Sequence, residues 1–290
     1  MIELVECPRD AMQGIKEFIP TEKKIEYLNQ LLKVGFDTLD FGSFVSPKAI
    51  PQMRDTAQVL AGLDLDSTDT DLLAIVANRR GANDAAQHAP IRYLGYPFSI
   101  SETFQLRNTN ATIKESLERV QQIFDICQRH DKEMVAYISM GFGNPYGDEW
   151  NHNIVQHWAG ILSEMGIRIL ALSDTIGIGT PESIHYLFSH LIEPFPHVTF
   201  GAHLHTQPHN WQEKIEAAYS AGCRRFDGAL KGYGGCPMAK DDLTGNMPTE
   251  MVIQHFKDSG ELTLDHGALG QAMAMMYDVF PHSDTPVPLM

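Results

Sequence analysis

"MIELVECPRD", residues 1–10, decides between two ways of folding a chain of alternating strands and helices. Ile2–Glu6 reads as a strand, and the turn after it is the test. In a doubly wound sheet that binds a dinucleotide, the first strand runs into a G-x-G-x-x-G turn, whose glycines let the backbone approach a pyrophosphate. Here the strand runs into Cys7-Pro8-Arg9-Asp10, with no glycine fingerprint. The competing architecture, a (β/α)8 barrel, keeps its chemistry in such loops at the C-terminal ends of its strands.

Outward from that first unit the pattern recurs. Further strands are expected at Thr38–Phe41, Leu72–Val76, Ile91–Tyr96, Glu133–Ser139, Ile167–Leu172, Val198–His203 and Cys223–Asp227. Helices are expected after them and after the first strand, at about 21–34, 49–60, 80–88, 112–130, 149–165, 181–193, 208–221 and 248–258. In the first of these, Ile25, Leu28, Leu31 and Leu32 fall on one face at helical spacing. The strand-to-strand spacing is roughly 30 residues, and eight such units suit a closed α/β barrel. The expected fold is an α/β (β/α)8 barrel occupying residues 1–290 as one domain. Residues 262–290 are expected to be a C-terminal extension with a helical segment, Ala268–Phe280, and a proline-rich tail.

Composition narrows the function. With 43% hydrophobic and 20% charged residues among 290, the chain can bury a sizeable core. A formal net charge of −15 argues against nucleic acid and anionic membrane as partners. Cys7, Cys127, Cys223 and Cys236 form no C-x-x-C pair, as expected of a reduced intracellular protein. No basic segment leading into a long apolar stretch opens the sequence, and no apolar run approaches the roughly 18 residues of a membrane span. A cytoplasmic protein without a visible targeting segment is expected.

On the barrel reading, the residues after each strand meet at one rim. Arg9 and Asp10 follow strand 1, Asp40 ends strand 2 with Ser43 behind it, Asp174 follows strand 6, and His203 and His205 end strand 7. After strand 8 comes "KGYGGCPMAKDDLTGN" (231–246), which carries Cys236 and Asn246. Residues two apart on a strand share a face, so the imidazoles of "HLH" can share an ion. They can equally be two surface histidines of the 13 in the chain. Asp10 tips the balance, because strand 1 abuts strand 8 in a closed barrel and so lies near strand 7. A His–His–Asp set leaves coordination positions open, as a catalytic ion requires. With the Asn246 carbonyl it forms an N/O site suited to Mg²⁺, Mn²⁺, Co²⁺ or Zn²⁺. Arg9 can stabilise an enolate or alkoxide oxygen, pair with Asp40 or Asp174, or do both. "GYGGCPMA" (232–239) reads as a glycine loop able to close over a substrate with Cys236 as acid or nucleophile, or as a tight turn with an incidental cysteine.

Five stretches in order, "ECPRDAMQ" (6–13), "SFVSPKAIPQM" (43–53), "SDTIGIGTP" (173–181), "HLH" (203–205) and "GGCPMAKDDLTGNMPTE" (234–250), resemble those of the 3-hydroxy-3-methylglutaryl-CoA lyases. These are TIM-barrel enzymes within the metal-dependent lyases and Claisen-type condensing enzymes. The resemblance implies Asp10, His203, His205 and Asn246 as metal ligands and Mg²⁺ or Mn²⁺ as the ion. It implies Arg9 as enolate stabiliser, Cys236 as a proton-transfer residue, and Asp40 and Asp174 as members of the catalytic set. Lys16 would meet the phosphates of CoA, and Ser43 belongs to the substrate side. The implied reaction cleaves an acyl-CoA substrate, 3-hydroxy-3-methylglutaryl-CoA, to acetoacetate and acetyl-CoA, as in leucine degradation. A homodimer or larger homo-oligomer is expected. The chain departs from the family pattern at Ala11 (usually Gly), Asp40 (usually Glu), Thr206-Gln207 (usually Asp-Thr) and Ala171 (usually Ser). These changes leave two alternatives open: a related aldolase or condensing enzyme with another acyl group or a ketoacid, and a non-catalytic acyl-CoA-binding homologue.

Overall fold

A computed structural model describes residues 1–235 and 244–280. In chain order its elements are β1 (Glu3–Glu6), α1 (Pro8–Gln13), α2 (Thr21–Leu32), β2 (Thr38–Ser43), α3 (Thr56–Ala61), β3 (Asp71–Ile75), α4 (Arg79–Ala86), β4 (Ile91–Ser99), α5 (Glu102–Thr109), α6 (Ile113–Arg129), β5 (Glu133–Ser139), α7 (His152–Glu164), β6 (Ile169–Asp174), α8 (Pro181–Ile192), β7 (Thr199–Thr206), α9 (Trp211–Ser220), β8 (Arg225–Gly228), β9 (Gly245–Asn246), α10 (Thr249–Phe256) and α11 (His266–Val279). Strands β1 to β8 pair in parallel with their chain neighbours, and β1 closes on β8. The result is the expected (β/α)8 barrel, ringed by helices and carrying an additional C-terminal helix.

Side-chain alternation separates two cores. Along β3, Leu72 and Ala74 face the helices, while Leu73 and Ile75 join Tyr93, Val135, Tyr137, Ile169 and Ala171 inside the barrel. The same parity carries polar groups inward near the C-terminal ends. Asp40 lies in register with Leu73, and His203 with both Ser173 and Asp227. A β-bulge between Asp40 and Gly42 comes immediately after, the kind of irregularity that re-aims a side chain beside a site.

Several boundaries differ from expectation. Pro8 occupies the first turn of α1, where its fixed φ and missing N–H are tolerated, so the residues after β1 form a short helix instead of a loop. β4 runs on through Pro97 to Ser99; beyond Gly95 it pairs with β5 alone, a one-sided stretch where proline is tolerated. Ser173-Asp174 and His203–His205 lie within β6 and β7 themselves. The C-terminal helix docks on α2, with Gln30 Nε2 donating to Ala268 O (3.0 Å) and Tyr27 meeting Phe280 edge-on. The expected proline-rich tail lies outside the described residues. Among the described residues no helix is long and apolar enough to cross a membrane.

Candidate active site

The rim is built around α1. Its first turn places Arg9 and Asp10 over the barrel mouth, both buried. Arg9 Nε donates to Asp40 Oδ2 (3.0 Å) and Oδ1 (3.2 Å), Nη2 to Asp40 Oδ2 (2.5 Å), and Nη1 to Asp10 Oδ1 (2.9 Å). The shorter Asp40 side chain therefore reaches Arg9 directly. Burial pushes Asp40 up to about 6, with Arg9 opposing the rise. Burial also pushes Asp10 up, but Arg9, the two histidines and Asn246 more than offset it, so Asp10 is held below the ordinary range.

The metal-ligand candidates converge on Asp10. Ligand atoms of Asp10, His203 and His205 lie within 4.8 Å of one another. Asn246 is delivered by strand pairing: β9 runs antiparallel to the end of β7, with Asn246 opposite His205. Its Nδ2 donates to Asp10 Oδ2 (2.7 Å) and Tyr233 O (2.8 Å), leaving Oδ1 as the atom it could offer an ion. His205 is buried, and its Nδ1 has no hydrogen-bond partner among the described residues. Burial, then the neighbouring His203, lowers the His205 pKa to about 4, so the ring is neutral and its lone pair available at pH 7. Two imidazoles, a carboxylate and an amide oxygen are the donor set of a divalent cation, and the orphaned Nδ1 is the buried polar atom that such an ion would satisfy.

The other expected residues stand at different removes. Asp174 is buried beneath this cluster. Gly179 N donates to both of its oxygens (3.0 Å each) and Lys214 Nζ to Oδ2 (2.7 Å), while the same ammonium donates to His205 O (3.0 Å). Asp174 thus reaches the cluster through Lys214 and the backbone of His205. Ser43 ends β2, buried, with no partner for its Oγ among the described residues. Lys16 is exposed in the bend after α1. Cys236 lies outside the described residues.

Four residues escaped the reading of the sequence. Gln13 Nε2 donates to Asp10 Oδ1 (2.6 Å); it sits three residues from Asp10 on one helix face, so the signal existed once α1 is known to be helical. Asp227 Oδ2 lies 3.1 Å from His203 Nδ1, and strand parity could have pointed to it. Lys214 is a buried helix lysine that gave no signal. Glu6 accepts from Leu230 N (2.9 Å) and Thr249 Oγ1 (2.5 Å), pinning both ends of the segment that carries Asn246.

Fold and rim define a class: (β/α)8 barrels with a His–His–Asp cluster at the C-terminal mouth able to hold a divalent cation. The chain belongs to the HMGL-like family, whose model matches residues 3–276. It is 34% identical over 253 residues to the 3-hydroxy-3-isohexenylglutaryl-CoA/hydroxymethylglutaryl-CoA lyase of Pseudomonas aeruginosa, covering 87% of this chain and 83% of that one. The HMG-CoA lyase structure from Bacillus subtilis superposes with a TM-score of 0.90 at 30% identity, over 99% of this chain and 95% of that one. An HMG-CoA lyase from Acinetobacter baumannii, solved with coenzyme A and 3-methylmalate, superposes with a TM-score of 0.89 at 29% identity, over 100% and 97%.

Proposed function

We propose that this chain is a metal-dependent carbon–carbon lyase that cleaves 3-hydroxy-3-methylglutaryl-CoA to acetoacetate and acetyl-CoA. The observation that carries the reading is the juxtaposition of the Asp10–His203–His205 cluster with an Arg9 whose guanidinium is already fixed by two carboxylates. A divalent ion, Mg²⁺ or Mn²⁺, held by Asp10, His203, His205 and Asn246 would acidify the substrate hydroxyl and orient it. In the reaction a general base takes the C3 hydroxyl proton, C3–O becomes the ketone of acetoacetate as the C2–C3 bond breaks, and that bond's electron pair moves to C2 as the enolate of acetyl-CoA. Arg9 has N–H groups left over from its carboxylate contacts, one on Nη1 and one on Nη2, to hold the enolate oxygen. Protonation at C2 releases acetyl-CoA, with Cys236 as the proposed donor. Asp40 keeps the guanidinium turned toward the cluster, and Lys214 with Asp174 braces the backbone of His205. Lys16, exposed at the same rim, is the proposed contact for the CoA phosphates, and Ser43 the proposed contact for the acyl group. We place the reaction in the cytoplasm, in a homodimer or larger homo-oligomer.

The test is direct. Purified protein is incubated with 3-hydroxy-3-methylglutaryl-CoA and Mg²⁺ or Mn²⁺, and acetoacetate is measured. Metal-dependent release is expected. Release only from a different 3-hydroxyacyl-CoA would move the assignment to a related aldolase or lyase, and thioester binding without any product would make the chain a non-catalytic relative.

A further inference from the structure

Asp227 is a buried carboxylate that no step of the proposed reaction uses. It lies on β8, opposite His203 in the register with β7 and opposite Val5 in the register with β1. Its side chain is 0% exposed. A carboxylate so placed is costly unless something holds it. Arg225, two residues earlier on the strand, donates Nη1 to Glu3 (3.4 Å) and attracts the Asp227 carboxylate through its charge, but its Nε and Nη2 make no hydrogen bond among the described residues. Asp227 Oδ1 likewise has none. The hydrogen bond Asp227 makes is to the ring of His203, 3.1 Å from Oδ2 to Nδ1.

That contact has a chemical consequence. A neutral imidazole carries its hydrogen on one nitrogen and a lone pair on the other. An ionised carboxylate only accepts, so the nitrogen facing it must be the one that bears the hydrogen. The lone pair is then left on Nε2, the ring atom turned away from Asp227. His205 makes the contrast, because its buried Nδ1 meets no carboxylate or other partner among the described residues. The two imidazoles of the "HLH" pair are therefore held by different means. The ring of His203 is also braced edge-on by Tyr137, with centroids 5.4 Å apart.

We infer that Asp227 is a positioning residue that locks His203 as its Nδ1–H tautomer and so presents Nε2 to the divalent ion. This rests on the metal-ligand role proposed above for His203. Carboxylates placed behind a ligating histidine also raise its basicity, and their loss typically lowers metal affinity about 10- to 100-fold.

Two measurements separate this role from simple packing. The first is the ¹⁵N spectrum of histidine-labelled, metal-free wild type, recorded where the His203 ring is neutral; the Nδ1–H tautomer is expected, and Nε2–H would overturn the inference. The second is Mn²⁺ affinity, by electron paramagnetic resonance, of wild type, Asp227→Asn and Asp227→Ala. Loss of about 10- to 100-fold is expected in the alanine variant, and a smaller loss in the asparagine variant, whose amide oxygen can still accept. Affinities indistinguishable from wild type in both folded variants would overturn the inference. If neither variant folds, the wild-type tautomer decides alone. A wild type that binds no Mn²⁺ would remove the metal-site reading itself, and with it the role assigned to Asp227, whereas Mn²⁺ bound equally by all three proteins removes Asp227 alone.

Discussion

Arg9 directs Nε and Nη2 to Asp40 and Nη1 to Asp10, so one planar fork bridges two carboxylates. A lysine has one ammonium and cannot span both while facing substrate. Arg9→Lys is expected to lose about 3 kcal/mol of transition-state stabilisation, roughly a hundredfold in turnover, with Mn²⁺ affinity little changed; steady-state kinetics beside a metal titration reads both. Gly234 is constrained differently. Its φ is +97°, and a Cβ there would sit 2.7 Å from Asn246 Nδ2 and 2.9 Å from Asp10 O. Gly234→Ala should therefore combine backbone strain of about 1–3 kcal/mol with displacement of the Asn246 amide, and weaken Mn²⁺ binding as well as lowering the melting temperature. An alanine variant with wild-type metal affinity would show that Asn246 is not held by this contact. At this scale much of the site was legible, because Arg9, Asp10 and the two histidines are chemically conspicuous and sit beside strand ends. Asp227 and Lys214 were not, because their meaning comes from parity across a closed barrel and from a helix lysine reaching under a neighbouring strand.

Loops and short elements set where the conspicuous residues go. Gln52, 3% exposed in the 3-10 turn Pro51–Met53, accepts from Ile19 N (2.9 Å) and donates to Ile15 O (3.1 Å) and Glu17 O (2.8 Å). These bonds bracket Lys16 on both sides. The "PQM" of the family stretch thus acts at a distance in sequence, as a clamp on the loop that carries the proposed phosphate contact. Gln52→Ala is expected to cost about 1–3 kcal/mol of stability and to raise KM for the CoA thioester while leaving kcat near wild type, the pattern of lost ground-state binding. An equal fall in kcat would mean that the clamp serves the reacting centre. Periodicity revealed the eight strands and most helices, since each long helix shows one apolar face. It missed α1, whose buried run Pro8–Met12 includes Arg9 and Asp10 and shows no polar face, and α5, whose only buried residues, Phe104 and Gln105, mark no apolar stripe.

Closure of the barrel gathers acids from distant parts of the chain into one interior, and Glu6 shows the cost. It is buried between Leu230, Thr249 and the neighbouring Glu250, and burial, which Thr249 and Leu230 only partly offset, pushes it up to about 8. A carboxyl raised in this way is protonated in the folded chain at neutral pH and ionised in the unfolded chain. Its contribution to stability is complete below about 4.5 and is lost as pH rises toward 8, with a slope of up to about 1.4 kcal/mol per pH unit. Glu6→Gln, which mimics the neutral form, should flatten that slope; urea midpoints of both proteins between pH 5 and 8 would reveal parallel curves if Glu6 were in fact ionised throughout. Glu6 also ties Leu230 to Thr249, while β9 independently pairs Asn246 with His205. Both anchors are barrel residues, so closing the barrel also carries Asn246 to Asp10, and loosening either anchor is expected to displace that amide.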